Sequence, residues 1–280
     1  MEVKEPFDKN KKLNIIVVAD HSEYGLNAIR HGNLLALVFK ASLSIITRFG
    51  FNFEEKKRGD AFTKQDIEPL MDNNLEYTIS DRYFFPESLY HYAENTNTIM
   101  YVIGVDKNEK IGFFNLNKAM RFIKPSRLPV MTVGKNLPMD NAYQQVLLPV
   151  DIERQAKEKA LWAGYFSRFY QSTIHILHAE YKDEGLKKMV SDNIDFVEKL
   201  YHNLEIQYVL NNTTPQKNLD IYSLDYAPSI QASLTVIMMT KYFTPADIFM
   251  GPQEKKIIGN EQGLPVLCIN QRDDLYVLCT

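Results

Sequence analysis

Leu13-Asn14-Ile15-Ile16-Val17-Val18-Ala19-Asp20 is an apolar run that stops on an aspartate, and Val146-Leu147-Leu148-Pro149-Val150-Asp151 repeats it in the second half of the chain. Runs of this kind read as strands buried on both faces, as a parallel sheet requires. After each aspartate come a polar turn and an amphipathic helix. Ala28, Ile29, Leu34, Leu35, Leu37 and Val38 supply the apolar face of the first; Ala160, Leu161, Ala163, Phe166 and Phe169 supply that of the second. Two halves that open alike call for a search for a longer repeat.

The repeat continues. A second strand is expected at 42–47 (SLSIIT) and again at 173–178 (TIHILH). Helical stretches follow, short around Thr63 to Met71 and longer from Leu186 to Tyr201. Third strands are expected at 76–79 and 205–210, third helices at 86–94 and 215–224, and fourth strands at 99–105 and 234–240. Each half then closes on a short helix and a Leu-Pro-Val strand, Leu128 to Val133 and Leu264 to Ile269. Strands alternating with helices imply right-handed crossovers and a mainly parallel sheet covered on both faces. The expected fold is therefore α/β: two tandem Rossmann-like domains, 1–138 and 139–280, each with a five-stranded sheet. The boundary is expected in the segment Gly134 to Ala142, rich in Asn, Pro and Gly.

Composition excludes several classes of function. With 280 residues, 45% hydrophobic and 24% charged, the chain has enough apolar material for two cores. A net charge of −3, without a clustered basic face, argues against nucleic acid as partner. The longest apolar stretch, Leu34 to Phe39, falls far short of the roughly 20 residues of a membrane span. Residues 1–12 mix Lys4, Lys9, Lys11 and Lys12 with Glu2, Glu5 and Asp8, unlike a secretion signal. The two cysteines, Cys268 and Cys279, form neither a disulfide framework nor a zinc motif, and a cytoplasmic location is expected.

The strand-terminal aspartate with its helix, the fourth strand with its long loop, and the short helix feeding a Leu-Pro-Val strand occur in both halves in the same order. Together they resemble the universal stress protein family, of the HUP-type, adenine nucleotide alpha hydrolase-like superfamily. The resemblance covers nearly the whole chain. It implies last strands that pair across the two halves, as single-domain relatives dimerise, and a homodimer of tandems as a further assembly. It also implies an ATP site built on Gly-x2-Gly-x9-Gly-Ser/Thr after the fourth strand, where glycines let backbone N–H groups approach phosphates. Gly104 matches the opening glycine of the first half, but Lys107 follows at the next motif position, and Asn115-Leu116-Asn117-Lys118 stands where Gly-Ser/Thr belongs, with Gly112 nearby and out of register. The second half runs into Thr240-Lys241-Tyr242-Phe243 and keeps only Gly251, with Pro252 in place of the hydroxyl residue. The resemblance puts Asp20 and Asp151 beside an adenosine moiety; the residues by themselves read as helix N-caps. Asp20, Gly104, Asp151 and Gly251 are the candidate nucleotide-site remnants.

Other chemistry is sparse. His175 and His178, three apart in a strand, point to opposite faces and do not share a metal. Cys268 reads as a small core residue, and Cys279 has no base beside it. No nucleophile elbow, Walker loop or His-Glu-x-x-His occurs, so no catalytic constellation is expected. Leu275 to Leu278 is apolar, and the tail is expected to dock on the protein body or on a partner subunit. The reading is a non-enzymatic regulatory or interaction module of stress adaptation, with an unidentified protein partner and no cofactor. The alternative is a protein binding ATP or another adenine nucleotide, with slow ATPase activity or a ligand-sensing role.

Overall fold

The computed structural model describes residues 11–55, 62–108, 112–138, 142–152, 156–239 and 253–271. The chain divides into two compact units, Met1–Leu137 and Pro138–Thr280. In the first, β1 (Asn14–Val18), β2 (Ser42–Ile46), β3 (Tyr77–Ser80), β4 (Thr98–Asp106) and β6 (Val130–Val133) form a sheet of order β3-β2-β1-β4-β6. All of these neighbours pair in parallel. A two-residue strand unforeseen in the sequence, β5 (Phe114–Asn115), adds to the end of β4 through Val105↔Phe114 and Asp106↔Asn115. The helices are α1 (Glu23–Phe39), α2 (Lys64–Ile67) with a 3₁₀ turn at Glu68–Leu70, α3 (Pro86–Asn95) and α4 (Leu116–Ile123).

The second unit repeats this order with β7 (Gln145–Pro149), β8 (Thr173–Ala179), β9 (Tyr208–Thr213), β10 (Leu234–Met239) and β11 (Val266–Asn270). Its sheet runs β11-β10-β7-β8-β9, again parallel throughout. The helices are α5 (Ala156–Tyr170), α6 (Glu184–Asn203), α7 (Leu219–Tyr226) and α8 (Gln253–Ile258). β9 begins three residues and α7 four residues later than the residue pattern predicts; Leu204 and Ile206 close the end of α6 and leave strand pairing to start at Tyr208. The C-terminal tail, Gly251 and Cys279 lie outside the described residues.

β1 is buried along its whole length, and so is β4. Asn14 would be costly inside such a core if its amide were unsatisfied. Its Nδ2 donates to Thr98 Oγ1 at 3.0 Å, and its Oδ1 accepts from the Ser42 and Ser44 hydroxyls. This network ties β1 to both neighbours at the amino ends of the strands, so ligand chemistry is left to the carboxyl ends.

One polar pair on α1 holds the chain that leaves the sheet. Asn27 Nδ2 donates to the carbonyls of Gly134 and Asn136, just past β6. One turn further along, His31 is 2% exposed and bonds to the Asn136 backbone. Burial lowers the His31 pKa to about 4, partly opposed by that carbonyl. In the unfolded chain His31 titrates near 6.5, so the folded domain has the lower pKa. Its contribution is complete above pH 6.5 and is lost as pH falls towards 4. Denaturation midpoints of wild type and His31→Gln should therefore diverge, the wild type losing about 2.5 kcal/mol more between pH 7.5 and 4.5. Parallel pH profiles would show that His31 does not titrate against the fold.

Candidate functional site

The carboxyl ends of β1 and β4 meet the start of α1, the crevice where open α/β sheets place ligands. Asp20 does not cap α1. The N-cap is Ser22, whose hydroxyl accepts the Gly25 N–H at 3.1 Å. Asp20 lies two residues too early for that role, and its Oδ1 accepts the Ser22 N–H at 2.9 Å instead. Its Oδ2 accepts the N–H of Phe113, from the loop that follows β4. The carboxylate is thus bound on both oxygens by main chain.

Gly104 sits where β4 crosses the first turn of α1. A Cβ at Gly104 would lie 2.1 Å from the Tyr24 carbonyl oxygen, and one at Gly25 would lie 2.2 Å from the Asp20 carbonyl oxygen. The missing side chain of Gly104 thus accommodates the backbone of α1, and that of Gly25 accommodates Asp20. Gly112 takes φ +100° beside the Asp20 carboxylate, a conformation that suits glycine, and turns the loop so that Phe113 can reach Asp20. Asp106, the last residue of β4, is buried and bonds Tyr24, whose pKa is raised by burial and then by that carboxylate.

Aromatic side chains fill the space beneath the loop. Phe114 is fully buried, stacked on Phe49 at 5.1 Å and packed on Phe122 at 5.4 Å. Phe49 and Phe51 come from the loop after β2, so two loops share one core. Lys118 on α4 pairs with Glu55 at 3.0 Å, and the Arg121 guanidinium covers Phe51 at 4.8 Å, locking the same two segments from outside.

The second unit differs in kind. Asp151 Oδ1 accepts from the Ile152 N–H at 2.9 Å and the Tyr181 hydroxyl at 3.0 Å; its backbone carbonyl accepts from Asn193. Nearby, Lys159 on α5, 7% exposed, lies 3.8 Å from Asp220 on α7. The Asp220 carboxyl is raised above its usual pKa, first by burial; Lys159 pulls it down, while Asp151 and Glu254 push it up. Asp220 thus has one ammonium and two further carboxylates near enough to act on it. Glu254, on α8, is 6% exposed.

No protein-family model and no curated protein matches this sequence. Solved structures do. A universal stress protein from Archaeoglobus fulgidus superposes with a TM-score of 0.66 over 92% of this chain and 98% of its own, at 12% identity. A functionally unknown protein from Pseudomonas aeruginosa gives 0.63 over 96% of each chain, also at 12% identity. The fold is that of the universal stress proteins. Both neighbours match along nearly their full length, so the likeness takes in the tandem and not one half alone.

Within this universal stress protein fold, the sequence-derived candidates fall into two places. Asp20 and Gly104 converge on one spot, the first turn of α1, joined there by Gly25 and Gly112. Asp151 occupies the matching strand end of the second unit, and Gly251 lies outside the described residues. Lys159, Asp220 and Glu254 escape a sequence reading because charged residues on amphipathic helices read as solvated faces. Gly25 carried a signal, a glycine one turn into a helix that costs about 1 kcal/mol against alanine unless packing requires it. His175 bonds Gln145 at 2.7 Å, a contact within the sheet. Among the described residues, no group of three His, Cys, Asp or Glu side chains could hold a metal ion, and no helix is long and apolar enough to cross a membrane.

Proposed function

We propose that this chain is a tandem regulatory module of the universal stress type that acts through protein contacts and does not hold a triphosphate in its first domain. The observation carrying this reading is the bond from the Phe113 N–H to Asp20. A phosphate loop needs N–H groups turned outwards to an anion. Here one such group is turned inwards onto a carboxylate, and an aspartate that would face adenosine is already satisfied. The Phe49–Phe114–Phe122 packing supports the reading, since moving the loop would open a core.

The test is calorimetry and a thermal-shift panel of ATP, ADP, AMP and cAMP with the purified chain. A ligand at 100 times its Kd would stabilise the folded protein by about 2.7 kcal/mol. The expected result is no change of Tm with millimolar ATP. Micromolar ATP binding that Asp20→Ala abolishes would overturn the proposal.

A second reading, ligand sensing in the second domain, is favoured by the Asp151, Lys159, Asp220 and Glu254 group. Three carboxylates against one ammonium disfavour a polyphosphate and suit a ligand rich in hydroxyl or amine donors. Nucleoside without phosphate is the discriminating probe. A Tm rise with adenosine that Asp151→Asn removes would establish it, and a silent panel would leave the interaction module.

A further inference from the structure

β9 (Tyr208–Thr213) is the outer strand of the second sheet, and among the described residues it pairs with β8 alone. At one end of that ladder the Ile174 N–H donates to the Gln207 carbonyl, and at the other the Glu180 N–H donates to the Thr213 carbonyl. Peptide groups alternate in direction along a strand, so Val209 and Asn211 also turn theirs to β8. Tyr208, Leu210 and Asn212 turn N–H and C=O outwards. The edge is apolar as well, with Val209 43% and Leu210 42% exposed.

The counterpart strand of the first domain is guarded, and this one is not. β3 has four residues, with Glu76 before it and Asp81 and Arg82 after it, and Glu76 pairs with Lys12 at 3.1 Å. Short length and adjoining charge keep an edge from recruiting another strand. β9 has six residues, none of them charged, and the first charges on either side are Glu205 and Lys217. Its polar side chains are committed to their own chain: the Tyr208 hydroxyl donates to Glu198, and the Asn212 amide to Glu180. What the edge offers is main chain and two apolar side chains.

We infer that β9 pairs antiparallel with β9 of a second copy of this chain, about a two-fold axis at Leu210. The strand's own symmetry argues for this occupant. Leu210 is the middle of the three outward-turning residues. An axis there sets Leu210 on Leu210 of the copy and Tyr208 on Asn212 of the copy, each pair exchanging both main-chain bonds. No outward group of the strand is left over. The two Leu210 side chains meet at about 5 Å between Cβ atoms, and Val209 falls opposite Asn211 of the copy. Beyond the strand, the same register sets Glu205 opposite Pro215, two places from Lys217, so each end of the pair draws an acid towards a base. The contact is smaller than the roughly 800 Å² per partner of a stable interface, so the dimer is a weak one governed by concentration. It uses neither β6 nor β11, and it stands whether or not the first domain holds a triphosphate.

Sedimentation equilibrium of the full-length chain from about 5 to about 500 µM tests this. Wild type should pass from monomer to dimer as concentration rises. Leu210→Lys and Leu210→Glu each set like charges across the axis, and each should weaken association by about tenfold or more at unchanged Tm. An equimolar mixture of the two should restore it. Thr78→Lys, at an exposed position on β3, should associate like wild type. A second measurement adds no charge and decides the matter if a charged variant fails to fold. Leu210→Cys in a Cys279→Ser background, treated with diamide, should form a disulfide between chains, since residues paired in this way lie about 5.5 Å apart at Cα. Val209→Cys, offset by two residues from its own copy, should not; Cys268 is fully buried. A chain that stays monomeric over the whole range, or a dimer that Leu210→Lys leaves intact, would overturn the inference. So would a mixture that associates no better than its components, or cross-linking as efficient at position 209 as at 210.

Discussion

Gly104→Ala should unfold the first domain under conditions where wild type is stable, with a loss of roughly 3 kcal/mol or more, the upper end of what overpacking costs. The added Cβ would fall 2.1 Å from the Tyr24 carbonyl oxygen and 3.0 Å from the Gly25 nitrogen. Those atoms belong to the backbone of α1 and have no rotamer to change. β4 cannot yield either, since it is buried over nine residues and paired with β1 through Ile103 and with β6 through Gly104 itself. Strand and helix would have to separate, opening a void along the centre of the sheet. Urea denaturation followed by far-ultraviolet circular dichroism measures this. A loss below about 1 kcal/mol, the ordinary range of a tolerated substitution, would mean that the space at Gly104 is open, as a phosphate cradle requires.

Phe114→Ala should cost about 4 kcal/mol, within the range for removing a buried phenyl ring. The ring touches side chains from two other segments, Phe49 and Phe51 after β2 and Phe122 on α4. Its loss would therefore loosen the joint between the loops as well as leave a cavity. Amide exchange separates these effects: Phe113, whose N–H is held by Asp20, should exchange faster in Phe114→Ala. Phe114→Leu should restore most of the stability and slow that exchange again. An Ala variant that loses stability while Phe113 stays protected would show that the Asp20 bond holds the loop without the aromatic core. The reading of the first domain as closed by its own residues would then rest on Asp20 alone.

The candidate site was legible only in part. Asp20 and Asp151 stand out because each ends an apolar run, and strand ends of that kind converge at the carboxyl edge of a parallel sheet. Gly104 could be located by its place near the end of a fourth strand, but its purpose could not. Glycine serves close approach of a phosphate and close approach of backbone equally well, and what decides is the Tyr24 carbonyl brought there by α1. The capping role assigned to Asp20 fails for a related reason. Ser22, two residues on, has the position and the hydroxyl, and the Asp20 carboxylate is drawn away by an N–H more than ninety residues distant in sequence. No local pattern announces that partner.

By itself the sequence determined the order of elements, the parallel sheets and the duplication, because apolar runs of four to nine residues alternating with helical periodicity leave few other ways of burying both faces of a strand. Only the tertiary structure decided what the residues at the strand ends do. In the first domain the Phe113 N–H is turned onto Asp20 over an aromatic core; in the second, the strand end at Asp151 lies near a buried pair between Lys159 of α5 and Asp220 of α7. These differences arise from contacts between segments far apart in the chain, where desolvation and packing set the role of a residue and local propensity has no bearing.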